Sequence, residues 1–301
     1  MSLSSWRSRP GEAVIVLFAW LAGIGLVAVF AVIVGFLLYR GGSVLNPGLL
    51  FGDTPPLEAL LLRRPVFDGL FPALVGTLTL VLLALFAAVP VGIAAGIYLA
   101  EYCRGRLRRL LGLLFDLLAG IPSIVIGLFG LSLTIFLHHH FFTRLFPCLL
   151  ISALSLAFLV LPYLVRTTQA ALEEVPPEIR LGGAALGASR LQNLFSVLLP
   201  HALKGIGSGV LLATGRCAED TAVIMLTGVV ASAGIPHSLL GSYEALPFYI
   251  FYISSQYADR AELQRGYGAA IILLLLCGLL FFASRIIRRR LARRFFHYPL
   301  R

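Results

Sequence analysis

Three charged residues stand where charge is least expected. Inside an otherwise apolar stretch, Arg216 is followed by Glu219 and Asp220. On a helix, residues three and four apart are neighbours, so both carboxylates can reach the guanidinium. A charge near mid-bilayer costs about 2.5–3.5 kcal/mol on insertion scales, so such residues face an interior and serve a function. The planar guanidinium fork suits two oxygens of an oxyanion. The chemistry expected is reversible capture: the carboxylates hold Arg216 at rest, and a passing anion competes for it. The alternative is a structural ion pair that only fixes helix packing.

Other chemistry-bearing residues point elsewhere or nowhere. Cys103, Cys148, Cys217 and Cys277 are far apart and form no CxxC pair, so neither a disulfide framework nor a zinc site is implied. They read as small packing residues. His138, His139 and His140 are adjacent and do not share a helix face, so no metal site is expected, and no cofactor is implied. The remaining histidines, 201, 237 and 297, fall near span ends or in loops, which leaves no nucleophile–base pair for a membrane-embedded hydrolase. The single lysine, Lys204, cannot belong to a Walker A loop. That loop needs GxxxxGK[ST], whereas position 198 is Leu and position 205 is Gly. No catalytic residue is expected, and any ATP-driven step must be carried by another subunit.

The elements that position Arg216 follow from composition. The chain has 301 residues, 59% hydrophobic and 13% charged, about half the charged fraction of a soluble protein. Disorder is excluded by the same figures. A net charge of +10 does not indicate nucleic acid, because too little polar surface remains. The class is a polytopic, all-α membrane protein. Six apolar spans are predicted, at 14–38, about 71–100, about 110–137, 148 to about 165, about 206–231 and about 267–287. The first belongs to an apolar run of 26 residues, 13–38, longer than a signal-peptide core of roughly 7–15 and so read as a retained transmembrane helix. Asp116 reads as an interfacial charge at the start of the third span. With both termini in the cytoplasm, seventeen of the 24 basic residues fall inside, and the opposite orientation would place them outside. The arginines at 288–294 would anchor the tail to anionic lipid.

Two segments are too polar to span. Residues 39–70 contain Gly41-Gly42, Asn46-Pro47 and Pro55-Pro56 and read as an external loop. Residues 166–204 pass through Glu173, Glu174, Pro176 and Pro177 and read as a cytoplasmic segment with a surface helix. Pro177 can occupy its first turn, and Pro200 is expected to stop a helix.

Within that segment, Leu181-Gly182-Gly183-Ala184-Ala185-Leu186-Gly187 is followed by nine residues and then Val197-Leu198-Leu199-Pro200. This resembles the EAA loop of ABC importer permeases, with Leu181-Gly182-Gly183 in place of Glu-Ala-Ala. Ala119-Gly120-Ile121-Pro122-Ser123-Ile124-Val125-Ile126-Gly127-Leu128-Phe129-Gly130 resembles the AGVPSIV signature of permeases in phosphate-specific ABC importers. Gly215-Arg216-Cys217-Ala218-Glu219-Asp220-Thr221-Ala222, with Met225-Leu226-Thr227-Gly228, resembles their GRAxGETAPLLLTG stretch, with Glu219 standing where Gly is usual. The likeness covers most of residues 70–295 and is to the PstA type of the binding-protein-dependent inner-membrane component family.

The resemblance implies a type I ABC importer permease fold, with residues 1–70 as an N-terminal helix and external loop, 71–290 as the permease domain and 291–301 as a basic tail. It implies a substrate pathway of Arg216, Asp220, Glu219, Ser123, Pro122 and Thr221. It implies ATPase coupling through Leu181, Gly182, Gly183, Leu186, Gly187, Ala188, Ser189 and Pro200. The partners implied are a second, paralogous permease, an ABC ATPase dimer, an external phosphate-binding protein and the inner-membrane lipid. Rival readings are a permease for molybdate or sulfate, and a proton-coupled carrier using Glu219 and Asp220.

Overall fold

Long apolar stretches without breakers leave the backbone one way to satisfy its hydrogen bonds in lipid, and the chain takes it by forming helices. The computed structural model describes residues 10–60, 66 and 69–295. Arg7, Arg9, Arg63, Arg64 and Arg301 of the basic topology code lie outside them. The order is α1 (Pro10–Gly41), α2 (Pro47–Phe51), α3 (Pro56–Leu60), α4 (Phe71–Ile97), α5 (Gly105–Ala119), α6 (Ser123–His140), α7 (Leu149–Glu173), α8 (Pro177–Ala185), α9 (Arg190–Asn193), α10 (Leu199–Glu219), α11 (Thr221–Thr227), α12 (Leu246–Gln256) and α13 (Arg260–Phe295). Two π-helical turns, Tyr98–Tyr102 and Leu194–Leu198, extend α4 and lead into α10. Six helices are long and apolar enough to cross a membrane, and the described residues form no strand.

The bundle is organised around α7, the most buried of the six. Small residues on its neighbours let the backbones approach. A Cβ at Gly92 would lie 2.6 Å from Leu164 Cβ, and one at Gly96 would lie 2.6 Å from Thr168 Cβ and 2.7 Å from the Val165 carbonyl oxygen. On another side, a Cβ at Gly205 would lie 2.5 Å from Ala171 Cβ, and Gly209 sits against Thr167. The resulting core joins Leu80, Val81 and Ala84 of α4 to Leu156, Val160 and Leu164 of α7 and to Ala213 and Cys217 of α10. In contrast, α1 stands apart, its apolar side chains exposed along its length.

Four expectations are corrected. The third span is not one helix from 110 to 137. It divides at Gly120-Ile121-Pro122 into α5 and α6, because Pro122 adopts φ −58°, ψ 138° and a residue preceding proline is pushed out of the helical region. The spanning part is the 18-residue α6, about 27 Å long. The amphipathic α5 runs antiparallel along the last two turns of α7, tied to it by the Asp116–Arg166 and Arg108–Glu173 ion pairs. The fifth span does not run unbroken to 231, since it breaks at Asp220, in extended conformation (φ −74°, ψ 110°). Pro200 does not stop a helix. The π turn ends just before it, with the Leu199 N–H donating to the Leu194 carbonyl five residues back, and this wider turn accommodates the proline ring and its missing N–H. Residues 39–70, read as a plain loop, hold α2 and α3, and Leu49 and Leu70 are buried there with Ala73 and Leu246.

The α4–α7 approach yields a test. Gly96→Val should destabilise the bundle by about 1–3 kcal/mol through overpacking, seen as a lower thermal-unfolding midpoint of the detergent-purified protein.

Candidate functional site: a broken span and its arginine

The site is built by the interruption of the fifth span. After Glu219 the chain leaves helical geometry for one residue and restarts as α11. Asp220 is the N-cap of the new helix: its Oδ1 accepts from the Val223 N–H at 3.0 Å. Its other carboxylate oxygen, Oδ2, lies 3.3 Å from Arg216 Nη2, while Glu219 Oε1 lies 3.4 Å from Arg216 Nη1. The three charges predicted to meet are therefore together, by way of a helix break rather than along one continuous face. Their exposure differs: the Asp220 side chain is 3% exposed, that of Arg216 38% and that of Glu219 64%.

The contacts to Arg216 are long. Charge-assisted hydrogen bonds between guanidinium and carboxylate ordinarily fall near 2.7–2.9 Å. The Nε–H of Arg216 is buried with no hydrogen-bond partner. A guanidinium carries five N–H donors, so most of its capacity is unspent. Arg216 lies in the last turn of α10, twelve residues from Lys204 and so about 18 Å from it at helical rise.

The other residues of the expected pathway sit beside this break. Pro122 is the N-cap of α6, and Ser123 its first residue. Gly127 lets α6 touch α11: a Cβ there would lie 3.1 Å from the Ala222 carbonyl oxygen and 3.1 Å from Val223 Cα. One turn on, a Cβ at Gly130 would lie 2.9 Å from Thr227 Cγ2. The two helices thus run parallel and start at similar depth, with Ser123 of α6 and Thr221 of α11 both half-buried. Helix N-termini present unpaired N–H groups and partial positive charge.

At one end of the bundle the segment following α7 turns back on itself. Pro177 opens α8, Gly187 takes φ +80° at the turn, and Ser189 starts α9 in a capping box with Gln192. Leu181 and Leu186 are 65% and 91% exposed, and Leu191 and Phe195 are exposed too. Gly182 is open to solvent, Gly183 packs on Asn193, and Pro200 is buried. Ala188 is half-buried, its N–H donating to the Gly183 carbonyl at 3.1 Å. The expected segment 166–204 is therefore not one surface piece: its first part continues α7, and its last part starts the fifth spanning helix.

Two residues there had no role in the sequence reading beyond charge. Arg180 Nη1 donates to Glu101 Oε1 at 2.6 Å, and its Nη2 donates to the Leu172 carbonyl at 2.6 Å. Asn193 Nδ2 donates to the Arg180 carbonyl at 3.0 Å. Arg180 thus clamps α8 to the end of α4. The only sequence signal was an acid at the end of a span and an arginine beside the EAA-like stretch, 79 residues apart. At the opposite end, Glu244 accepts from the N–H groups of Ala233 and Gly234 at 2.9 and 2.7 Å. Burial raises its carboxyl pKa, and those hydrogen bonds oppose the shift. Among the described residues no cluster of three or more His, Cys, Asp or Glu could hold a metal.

The sequence of residues 92–297 matches the model of the binding-protein-dependent transport system inner membrane component. The chain belongs to this family. The permease is 35% identical over 221 residues to the phosphate transport system permease protein PstA 1 of Mycobacterium tuberculosis, covering 73% of this chain and 70% of that one. It is 32% identical over 262 residues to PstC 1 of the same organism, covering 75% and 76%. Its fold is that of ABC transporter permeases: a chain of a bacterial alginate ABC transporter, solved in complex with an alginate-bound periplasmic protein, aligns with a TM-score of 0.62 at 15% identity, covering 94% of the permease and 96% of that chain. The permease is thus a multi-pass inner-membrane protein.

The clamp carries a prediction. Arg180→Ala removes both hydrogen bonds and leaves Glu101 without its ion pair, a loss of about 1–3 kcal/mol in local stability. Limited proteolysis should then cut residues 177–189 faster, with the spanning helices still intact.

Proposed function

We propose that the permease lines the path by which inorganic phosphate crosses the cytoplasmic membrane, driven by a separate ATPase. The observation that carries this reading is Arg216: a guanidinium at the break of the fifth span, held at 3.3–3.4 Å by two carboxylates, with its Nε unpartnered. A tetrahedral oxyanion offers shorter, bidentate bonds than either carboxylate does here. Supporting it, the relatives at 32% and 35% identity bear the name phosphate transport system permease. The parallel starts of α6 and α11, with Pro122, Ser123 and Thr221, add helix-terminal N–H groups beside the break. Discontinuous helices with N-termini turned toward an anion are how membrane transporters bind one at mid-bilayer.

The sequence of events follows from charge. At rest, Glu219 and Asp220 neutralise Arg216. When phosphate arrives, Glu219, the more exposed carboxylate, yields first. Asp220 stays, because its Oδ1 is committed to the start of α11. The anion then leaves when the helices shift and the carboxylates recapture Arg216.

The shift is supplied from the end that carries α8. The concentration of basic residues there supports a cytoplasmic position for it and for both termini. Leu181, Leu186, Leu191 and Phe195 form an apolar knob suited to a groove on an ATPase. Gly182, Gly183, Gly187, Ala188 and Ser189 shape the tight turn behind it, and Pro200 joins it to the fifth span. The clamp from Arg180 to Glu101 passes the movement to α4. A second, paralogous permease would complete the path, an ATPase dimer would drive it, and an external phosphate-binding protein would deliver the anion.

Two experiments test this reading. Arg216→Gln should abolish uptake of radiolabelled phosphate while the complex still assembles, and normal uptake by that variant would overturn the proposal. Competition by molybdate and sulfate in the same assay separates phosphate from the other oxyanions. Leu186→Asp should weaken co-purification of the ATPase by about tenfold or more, the scale at which truncating a buried interface anchor acts.

A further inference from the structure

We propose that the cleft between α10 and α13 at the basic end of the bundle is a site for a phosphate group, carried either by a lipid headgroup or by the free anion. It is lined by Lys204, Gly205, Ser208, Arg288 and Arg289. Three cations converge and no carboxylate lines the cleft. Nor can its own helices supply one. On α10 no acidic residue precedes Glu219, and on α13 none follows Glu262. Along the helices these lie about 22 Å and 39 Å from Lys204 and Arg288 respectively.

The contrast with the neighbouring basic cluster is informative. There, Arg166 and Arg108 are neutralised within the chain by Asp116 and Glu173. Among the described residues no such carboxylate lines the Lys204–Arg288–Arg289 cluster. Like charges held close repel, so an anion seated among them lowers the energy of the folded state.

The arginine is also pre-oriented. Arg288 Nη1 donates to Ser208 Oγ at 3.0 Å, and the Ser208 hydroxyl donates in turn to the Lys204 carbonyl at 2.9 Å. The stem of Arg288 lies across Gly207, where a Cβ would come within 2.5 Å of Arg288 Cδ and 2.8 Å of Cγ. The glycine thus gives the guanidinium its seat and leaves four of its N–H donors for a ligand. The cleft is at the ends of the fifth and sixth spans, at headgroup level, where basic pockets between spanning helices take phosphate-bearing headgroups. It is about 18 Å along α10 from Arg216, so it is separate from the pathway and its occupancy can be measured without transport.

Native mass spectrometry of the detergent-purified protein, titrated with phosphatidylglycerol and in parallel with inorganic phosphate, tests the site. The wild-type chain should retain one tightly held adduct. Arg288→Gln combined with Arg289→Gln should weaken it by about tenfold or more, a loss of about 1.4 kcal/mol. Gly207→Ala keeps every charge but displaces Arg288, and should weaken it too. Arg285→Gln, which removes one charge from the same helix outside the cleft, should not. Retention of phosphatidylglycerol alone names the lipid as the source, and its displacement by inorganic phosphate names the free anion. Undiminished binding of both probes by the double variant, or an equal loss in Arg285→Gln, overturns the site.

Discussion

One carboxylate is shared between a helix and a cation. Asp220 gives one oxygen to the first turn of α11 and the other to Arg216. Without the cap, α11 would begin with an unsatisfied N–H in a dry interior, a loss of about 1 kcal/mol. Without the charge, Arg216 would sit at the break with only Glu219 beside it. The break in the fifth span, the parallel seating of α11 on α6 and the neutralisation of the half-buried guanidinium therefore depend on the same side chain. It is also why the two carboxylates are unequal partners, one fixed by the backbone and one exposed and free to swing.

The rest of the bundle holds this junction at a fixed depth. Close approach at Gly92, Gly96, Gly205 and Gly209 locks α4 and α10 onto α7 with little slack. Movement at one end of α10 is then transmitted as a rigid-body shift rather than lost in side-chain rearrangement. The π turn at Leu194–Leu198 is the exception, a wider turn placed just where α10 meets the surface segment. The clamp of Arg180 on Glu101 bypasses that softer turn and joins α8 directly to α4.

Much of this was legible in residue order. Apolar run length is enough to find six spanning helices, and the proline at 177 marks the start of α8. The contact of Arg216 with Glu219 and Asp220 follows from helical spacing. The break at Asp220 does not, because neither Gly nor Pro marks it and a carboxylate inside an apolar run gives no hint that it caps a new helix. The separation of α5 from α6 was hidden for a related reason. One face of α5 is leucine-rich, so it extends the apolar run, and only its pairings with α7, Asp116 to Arg166 and Arg108 to Glu173, show that it is a separate helix laid antiparallel along the end of α7. Pro200 misled because a π turn absorbs it, and such turns have no signature in composition. Arg180 and Glu101 are invisible as a pair because nothing local connects residues 79 apart.

The isolation of α1 has a consequence for how the molecule is made. Its contact with the rest runs to α13, where Gly41 sits within 3 Å of the Tyr267 backbone and Ile271, as judged by a Cβ placed on it, and Phe36 meets Tyr267 edge-on at 5.9 Å. The first of the described helices thus docks on the last of them in chain order. During synthesis α1 enters the bilayer before the surface of α13 on which it docks exists. Its uniformly apolar surface is what lets it wait there without a partner.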